Sequence, residues 1–154
     1  MLRFVTAILI GFAVTGCSAI DFSKKLARKP LPLKHVTLIS EDDANSGFPV
    51  PVDVVIVKKD EMVAIISEMD TETWFSQKEF ILPANIGTLE AVSYELISGN
   101  FEDPLVIDWS NRKDAKAVFV LARYVDANVG KIRVDQLTAA VIHLGTNTIS
   151  VADK

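Results

Sequence analysis

Short apolar runs rich in β-branched residues, separated by turn signals, restrict the fold of this chain more than any other feature. The first two runs cover residues 34–39 and 51–57, with the turn-forming residues 45–47 between them. Residues 54–57 are apolar on both faces, which predicts a strand in the middle of a packed sheet. Six further runs follow at residues 91–97, 104–109, 115–125, 131–134, 138–144 and 148–152. Strands of this length at this spacing predict a mainly β protein, and specifically a β-sandwich.

One segment between the second and third runs has helical rather than strand periodicity. Apolar residues recur at helical spacing between positions 62 and 69, and Asp60 and Glu61 suit the start of a helix because of its dipole. Residues 71–79 predict a second short helix that presents Trp74 and Phe75, which we interpret as core packing rather than a ligand pocket. The sandwich is therefore expected to carry a short helical insert after its second strand.

The first seventeen residues differ in composition from the rest of the chain and predict a secretory signal peptide. Arg3 precedes an uncharged run over residues 4–14, which is too short for a membrane span of about 20 residues. The run ends at residues 14–17 (Val, Thr, Gly and Cys), which resemble the bacterial lipobox and include the single cysteine of the chain. This resemblance implies a diacylglyceryl group on the Cys17 sulfur, cleavage before Cys17, and acylation of the new amino terminus, for example with palmitate.

The chain is therefore expected to have three parts. Residues 1–16 form a lipoprotein signal peptide that is removed, residues 17–32 a lipidated tether, and residues 33–154 the β-sandwich domain. Ser18 stands where an aspartate commonly retains lipoproteins in the inner membrane, so the expected location is the periplasmic face of the outer membrane of a Gram-negative bacterium. The tether cations are either part of a solvated linker or contacts to anionic lipid head groups, and the sequence leaves both open. These cations are Lys24, Lys25, Arg28 and Lys29.

Composition and motifs argue against several classes of function. The chain has 16 basic and 20 acidic residues and no basic stripe, so nucleic acid is not an expected partner. One cysteine excludes an intramolecular disulfide and a cysteine-based metal site. His35 and His143 lie inside predicted strands, and we interpret them as half-buried strand residues rather than metal ligands. No phosphate loop, nucleophile elbow or zinc-protease motif occurs, so no catalysis, small-molecule substrate, metal or cofactor other than the lipid on Cys17 is expected.

An acylated β-sandwich with a helical insert after its second strand resembles TssJ, the outer-membrane lipoprotein family of the type VI secretion system. Residues 44–57 resemble the family's loop with an asparagine, followed by a Pro-Val start to a strongly apolar second strand. The helical segment with aromatics follows, at Trp74, Phe75 and Phe80. Residues 117–124 resemble the family's late apolar strand that ends in an aromatic residue. The resemblance covers most of the chain that remains after cleavage.

The resemblance implies a transthyretin-like sandwich without catalysis that attaches an envelope-spanning complex to the outer membrane. The family's partner is TssM, an inner-membrane protein whose periplasmic C-terminal region binds the loop between the first two strands, here residues 41–49. An exposed Phe48 ringed by polar residues is a plausible anchor, and the alternative is that Phe48 folds back onto the core. A turn-like loop is expected to carry little packing. The candidate partner-binding residues are Asp42, Asp43, Asn45, Ser46, Gly47 and Phe48.

Two other functions stay open at the level of the sequence. One is a pilotin or other envelope-assembly lipoprotein, which would bind a secretin or an outer-membrane barrel instead of an inner-membrane protein. The other is a periplasmic ligand-binding or hydrolytic lipoprotein, which requires a pocket with convergent polar groups. Such a pocket could form around His143, Arg123 and Asp108, although nothing in their spacing recommends it.

Overall fold

The structure is a computed structural model that describes residues 30–99, 105–108, 114–125 and 130–153. The predicted signal peptide, Cys17 and the tether cations lie outside the described residues. Within those ranges, eight strands form two four-stranded sheets, and two α-helices follow the second strand, α1 (Asp60–Glu68) and α2 (Thr71–Ala84). The predicted mainly β sandwich with a helical insert is confirmed. The strands are β1 (His35–Ser40), β2 (Val50–Val57), β3 (Leu89–Leu96), β4 (Leu105–Asp108), β5 (Ala117–Ala122), β6 (Lys131–Arg133), β7 (Ala139–Leu144) and β8 (Ile149–Asp153).

The strand order is β4-β1-β7-β8 in one sheet and β3-β2-β5-β6 in the other. Strands β1 and β7 run parallel, in register from His35 opposite Ala139 to Ser40 opposite Leu144, and the other described pairs are antiparallel. Strand β2 has β3 on one side and β5 on the other, so the prediction of a central strand is confirmed. Because β2 is central, its residues from Val52 to Val57 pair with strands on both sides.

Strand β2 is apolar on both faces because it separates two apolar clusters. One face contributes Val52, Val54 and Ile56 to the core between the two sheets. The other face contributes Val55 and Val57 to a second cluster, in which the insert packs on the outside of the sheet. The second cluster also contains Ile66 from α1, Trp74 from α2, Leu89 from β3, and Ala117, Phe119 and Leu121 from β5. The interpretation of Trp74 as a core residue is confirmed.

The second helix is longer than the sequence predicts. It begins after Asp70, whose carboxylate accepts a hydrogen bond of 2.6 Å from the backbone N–H of Thr73, and it ends at Ala84 rather than at residue 79. Pro83 lies in its last turn, where a proline removes a backbone donor. Ile81 and Leu82 pack against the second cluster, and this packing outweighs the local cost of the proline.

A buried ion pair also attaches the insert to the sheet. The Asp53 carboxylate on β2 is almost fully buried and accepts hydrogen bonds from Trp74 Nε1 at 2.7 Å and from Lys78 Nζ at 2.8 Å. Lys131 on β6 donates to the carbonyl oxygens of Ile66, Ser67 and Met69, which end α1, at 3.2, 2.6 and 2.5 Å. These bonds satisfy carbonyl groups that a helix leaves unpaired at its end, and they fix both helices on the sheet.

The molecule has two opposite ends, which we name by the segments that lie there. The loop end comprises residues 41–49, 97–99, 123–125 and 145–148, and the tether end comprises residues 30–34, 58–60, 85–88, 114–116 and 134–138. At the tether end, Leu31 and Leu33 pack against the main core before β1 begins. Among the described residues, no helix has the length and apolar character needed to cross a membrane.

Candidate functional site

The loop between β1 and β2 has a defined conformation that the local sequence explains. It contains a short 3-10 turn, Ala44–Gly47, in which Asn45, Ser46 and Gly47 have φ values of +49°, +58° and +83°. Glycine tolerates positive φ without steric cost and asparagine tolerates it better than most residues, whereas Ser46 is strained there. Three successive left-handed residues reverse the chain sharply, so the tip of the loop projects from the loop end.

Asn45 is the structural centre of this loop. Its side chain is 6% exposed, Oδ1 accepts a hydrogen bond from the Val125 N–H at 3.1 Å, and Nδ2 donates to the Pro49 carbonyl at 3.0 Å. Its own N–H donates to the carbonyl of Gly145 at 3.2 Å. Asn45 therefore connects three segments of the loop end and holds the loop in position, rather than offering its own side chain to a partner.

Ala44 and Asn45 are both buried, so the expectation that this loop carries little packing is wrong at these two positions. Ala44 belongs to the main core, and its carbonyl accepts a hydrogen bond of 2.9 Å from the Ser98 hydroxyl. The other predicted partner-binding positions face outward. They are Asp42, Asp43, Ser46, Gly47 and Phe48.

Phe48 is 64% exposed, so the alternative in which it folds back onto the core is wrong. Its backbone N–H donates to the Asn45 carbonyl at 3.2 Å, which holds the residue at the edge of the turn. The carboxylate of Asp43, close to Phe48 in the chain, accepts a hydrogen bond from the Thr146 hydroxyl of the β7–β8 turn. The loop thus exposes an aromatic side chain that is close in the chain to carboxylates, and hydrogen bonds hold the loop to neighbouring segments.

The loop end has two more exposed apolar residues besides Phe48, and neither was predicted from the sequence as a partner-binding residue. Ile97 is 72% exposed and precedes Ser98, which binds Ala44, while Val125 is 79% exposed and donates its N–H to Asn45. Each is the last residue of a predicted apolar run, but β3 and β5 end one and three residues earlier. In the sequence, the sign of this exposure is that each residue stands at the very end of an apolar run, directly before a polar residue.

A groove of about 510 Å³ runs beside this loop toward the start of α2. Its residues include Asn45, Pro49, Pro51, Thr71, Glu72, Arg123, Tyr124 and Val125. Arg123 lies just after β5 rather than inside it, its N–H donates to the Pro51 carbonyl at 2.8 Å, and its side chain reaches solvent. The Tyr124 hydroxyl donates to the Thr148 carbonyl at 2.9 Å, and burial raises the pKa of that phenol well above its usual value.

The polar triad considered for a ligand-binding or hydrolytic pocket does not come together. His143 lies opposite Ile39 near the loop end, whereas Asp108 lies opposite His35 at the other end of the same strand. The Nδ1 atom of His143 is 3.7 Å from Glu41 Oε1, and His35 is exposed rather than half-buried. Among the described residues, no three His, Cys, Asp or Glu side chains are arranged to hold a metal ion.

The fold is similar to that of two solved type VI secretion structures. The T6SS lipoprotein TssJ1 from Pseudomonas aeruginosa aligns with a TM-score of 0.62 and 18% identity, over 78% of this chain and 94% of that chain. The Serratia marcescens protein Lip, a membrane-bound component of the Type VI Secretion System, aligns with a TM-score of 0.58 and 16% identity, over 78% and 96%. No protein-family model and no curated protein matches the sequence. At these identities the likeness is one of fold, and the TssJ-like fold expected from the sequence is confirmed.

Proposed function

We propose that this protein is a TssJ-type lipoprotein that attaches a type VI-like secretion complex to the outer membrane. The observation that carries the proposal is the shared fold over nearly the whole length of two neighbours that are described as type VI components. The lipobox that ends at Cys17 adds a means of attachment. A chain held by two or more acyl groups stays on the membrane, because each buried methylene contributes about 0.8 kcal/mol.

The direction of β1 supports an anchoring role. The chain enters the fold at the tether end, and β1 then runs straight to the loop end, where residues 41–49 begin. A lipid on Cys17 and a partner on the loop would therefore pull on opposite ends of the same strand. That strand is hydrogen-bonded on both sides, to β4 and to β7, which suits a part that transmits load.

The loop end is the proposed binding surface for the periplasmic part of a TssM-like inner-membrane protein. Phe48, Ile97 and Val125 are exposed apolar side chains, and their segments all hydrogen-bond to residues 41–45. Interfaces commonly combine such apolar anchors with a polar rim, and the exposed carboxylates of Asp42 and Asp43 supply one here. The complementary partner surface would have an apolar pocket with basic residues around it.

The proposal is tested by capturing tagged full-length protein from detergent-solubilised envelopes after mild crosslinking. We expect to recover a large inner-membrane protein with a periplasmic region, and to lose it with Phe48→Asp. Ile65→Asp is the matched control, because Ile65 is an exposed apolar residue on α1 that lies outside the loop end. Recovery of only a secretin or a barrel would contradict the proposal and favour a pilotin. Equal recovery with Phe48→Asp would contradict the loop as the binding surface.

A further inference from the structure

The last part of α2 and the turn after it present an uncharged apolar surface to solvent. Residues 80–89 contain no charged side chain, and Asn85 and Thr88 are their only polar members. Phe80 is 78% exposed and Ile86 is 83% exposed. Exposed helix ends usually carry charged residues, and cations suit the C-terminal turn in particular. The exposed apolar strip consists of Phe80, Pro83, Ala84 and Ile86.

The strip is held outward by the structure around it. On the inner side of the helix, Ile81 and Leu82 pack against the second cluster, so the helix cannot rotate to bury Phe80 without exposing them. Asn85 closes the helix, because its N–H donates to the Leu82 carbonyl at 3.1 Å and its Nδ2 donates to the Ile81 carbonyl at 2.8 Å. Ile86 therefore projects from a hydrogen-bonded turn.

The strip extends to the end of the molecule from which the tether leaves. The Lys58 N–H donates to the Thr88 carbonyl at 2.9 Å, which places the α2–β3 turn beside the end of β2, at the tether end. Cys17 precedes Pro30 by thirteen positions, which corresponds to a reach of about 45 Å when fully extended. A lipid on Cys17 would thus keep this end close to the bilayer and would leave its orientation undetermined.

Charge also distinguishes this end from the other. The described tether end has charges of both signs, with Lys34, Lys59, Asp60 and Asp114 exposed, and the tether adds four cations. The loop end has a net negative charge, with Asp42 and Asp43 exposed and Arg123 as its exposed cation. Basic residues near anionic lipids are attracted to the surface, whereas carboxylates are repelled from it. Both effects favour the tether end as the side that faces the membrane.

We propose that the strip of Phe80, Pro83, Ala84 and Ile86 is a lipid-contact surface that rests on the periplasmic leaflet of the outer membrane. This inference rests on the proposed lipid anchor, which brings the strip to the bilayer. Apolar side chains on one face of a helix insert into the boundary between head groups and acyl chains. Because the acyl groups already provide attachment, the strip would set the orientation, with the loop end directed into the periplasm.

The test uses the full-length lipidated protein reconstituted in vesicles of phosphatidylethanolamine with a smaller share of phosphatidylglycerol. Ile86→Cys and, as the matched control, Phe48→Cys are each labelled with an environment-sensitive fluorophore. The lipid occupies Cys17, so the introduced thiol is the free one. We expect the label at position 86 to shift to the blue, to be quenched by lipid-borne nitroxide and to be protected from iodide several-fold better than the label at position 48.

The outcomes separate this inference from the proposed function. If the protein does not float with the vesicles at all, the lipid anchor fails. If it floats but iodide quenches both labels equally, the lipid-contact surface is wrong while the anchor stands. Protection of position 86 from iodide without quenching by the lipid nitroxide would also overturn the inference, because it would show that the strip is covered by protein, such as a second copy of this chain.

Discussion

The loop end and the tether end both expose large apolar side chains, but the charges around them differ. At the loop end, Phe48, Ile97 and Val125 share their surface with exposed carboxylates. At the tether end, the strip lies within ten successive residues without any charge. Apolar anchors with a charged rim suit a protein partner, and an uncharged strip beside a lipid attachment suits a bilayer. The charges next to each group of apolar residues therefore distinguish the two surfaces better than the apolar residues themselves do.

The two ends are also held in place by different forces. The loop end depends on hydrogen bonds that converge on buried Asn45. The tether-end strip depends on the packing of α2 and on the hydrogen bonds that Trp74 and Lys78 donate to the Asp53 carboxylate. Substitutions at one end should therefore leave the other end intact.

Cys17→Ser should cause the most pronounced change, the loss of membrane association, since removal of the thiol removes the proposed site of lipid attachment. The loop end should be untouched, so the soluble variant should still bind the partner and unfold at the same temperature as the lipidated protein in detergent. Fractionation of envelopes and thermal unfolding followed by circular dichroism would measure both. Continued association with membranes would show that the anchor lies elsewhere.

Asp53→Ala should destabilise the fold by about 3–5 kcal/mol, because it leaves the Lys78 ammonium without its buried partner and the Trp74 indole N–H without an acceptor. Asp53→Asn is the matched variant, since it keeps an acceptor for Trp74 and should cost less. Urea unfolding followed by circular dichroism gives the free energy of unfolding. Equal stability of Asp53→Ala and the wild type would mean that the ion pair does not hold the insert on the sheet.

Asn45→Ala should cost about 1–3 kcal/mol, because the Val125 N–H and the Pro49 carbonyl lose their buried partner. It should also weaken partner binding, since the positions of Phe48 and Val125 both depend on it. Ser46→Ala at the exposed neighbouring position should change the free energy of unfolding by less than about 0.5 kcal/mol. If the two variants lost the same stability, Asn45 would not be the centre of the loop.

The effect that we expect to be smallest is a loss of stability at alkaline pH, which the raised pKa of the Tyr124 phenol causes. Burial, assisted by the nearby Glu41 carboxylate, raises the pKa of Tyr124 above its ordinary value of 10.0. As the pH rises past 10, the unfolded phenol ionises before the folded one, so the folded state loses stability there and keeps it below pH 10. Tyr124→Phe should remove this dependence, at a cost of about 1 kcal/mol for the hydrogen bond to Thr148.

Absorbance titration at alkaline pH would follow the two tyrosines of the chain. The prediction is that the phenol of Tyr124 ionises only as the protein unfolds. A phenol at position 124 that ionises at its ordinary pKa in the folded protein would contradict it.

Much of the fold could be predicted from the sequence because β-branched runs and turn residues act locally. The central position of β2 was predicted from such a run and the helix at Asp60 from the helical spacing of its apolar residues, and both were confirmed. The end of α2 could not be placed, because packing of residues distant in the chain overrides the local effect of Pro83.

The site was less predictable because its contacts are long-range. The partner of Asn45, Val125, is eighty positions away, and the two α2 residues that donate to Asp53 are 21 and 25 positions away from it. Exposure of Phe48 likewise depends on how three segments meet at the loop end.

Photo-crosslinking in living cells would show directly whether the loop end and the tether end bind a protein partner and lipid, respectively. A photoreactive amino acid placed at position 48 or at position 86 of the full-length protein would report what each end touches in cells with an assembled secretion system. We predict that position 48 forms an adduct with a large inner-membrane protein and that position 86 forms adducts with lipid. Capture of that protein at position 86, with none at position 48, would show instead that the partner binds the tether end.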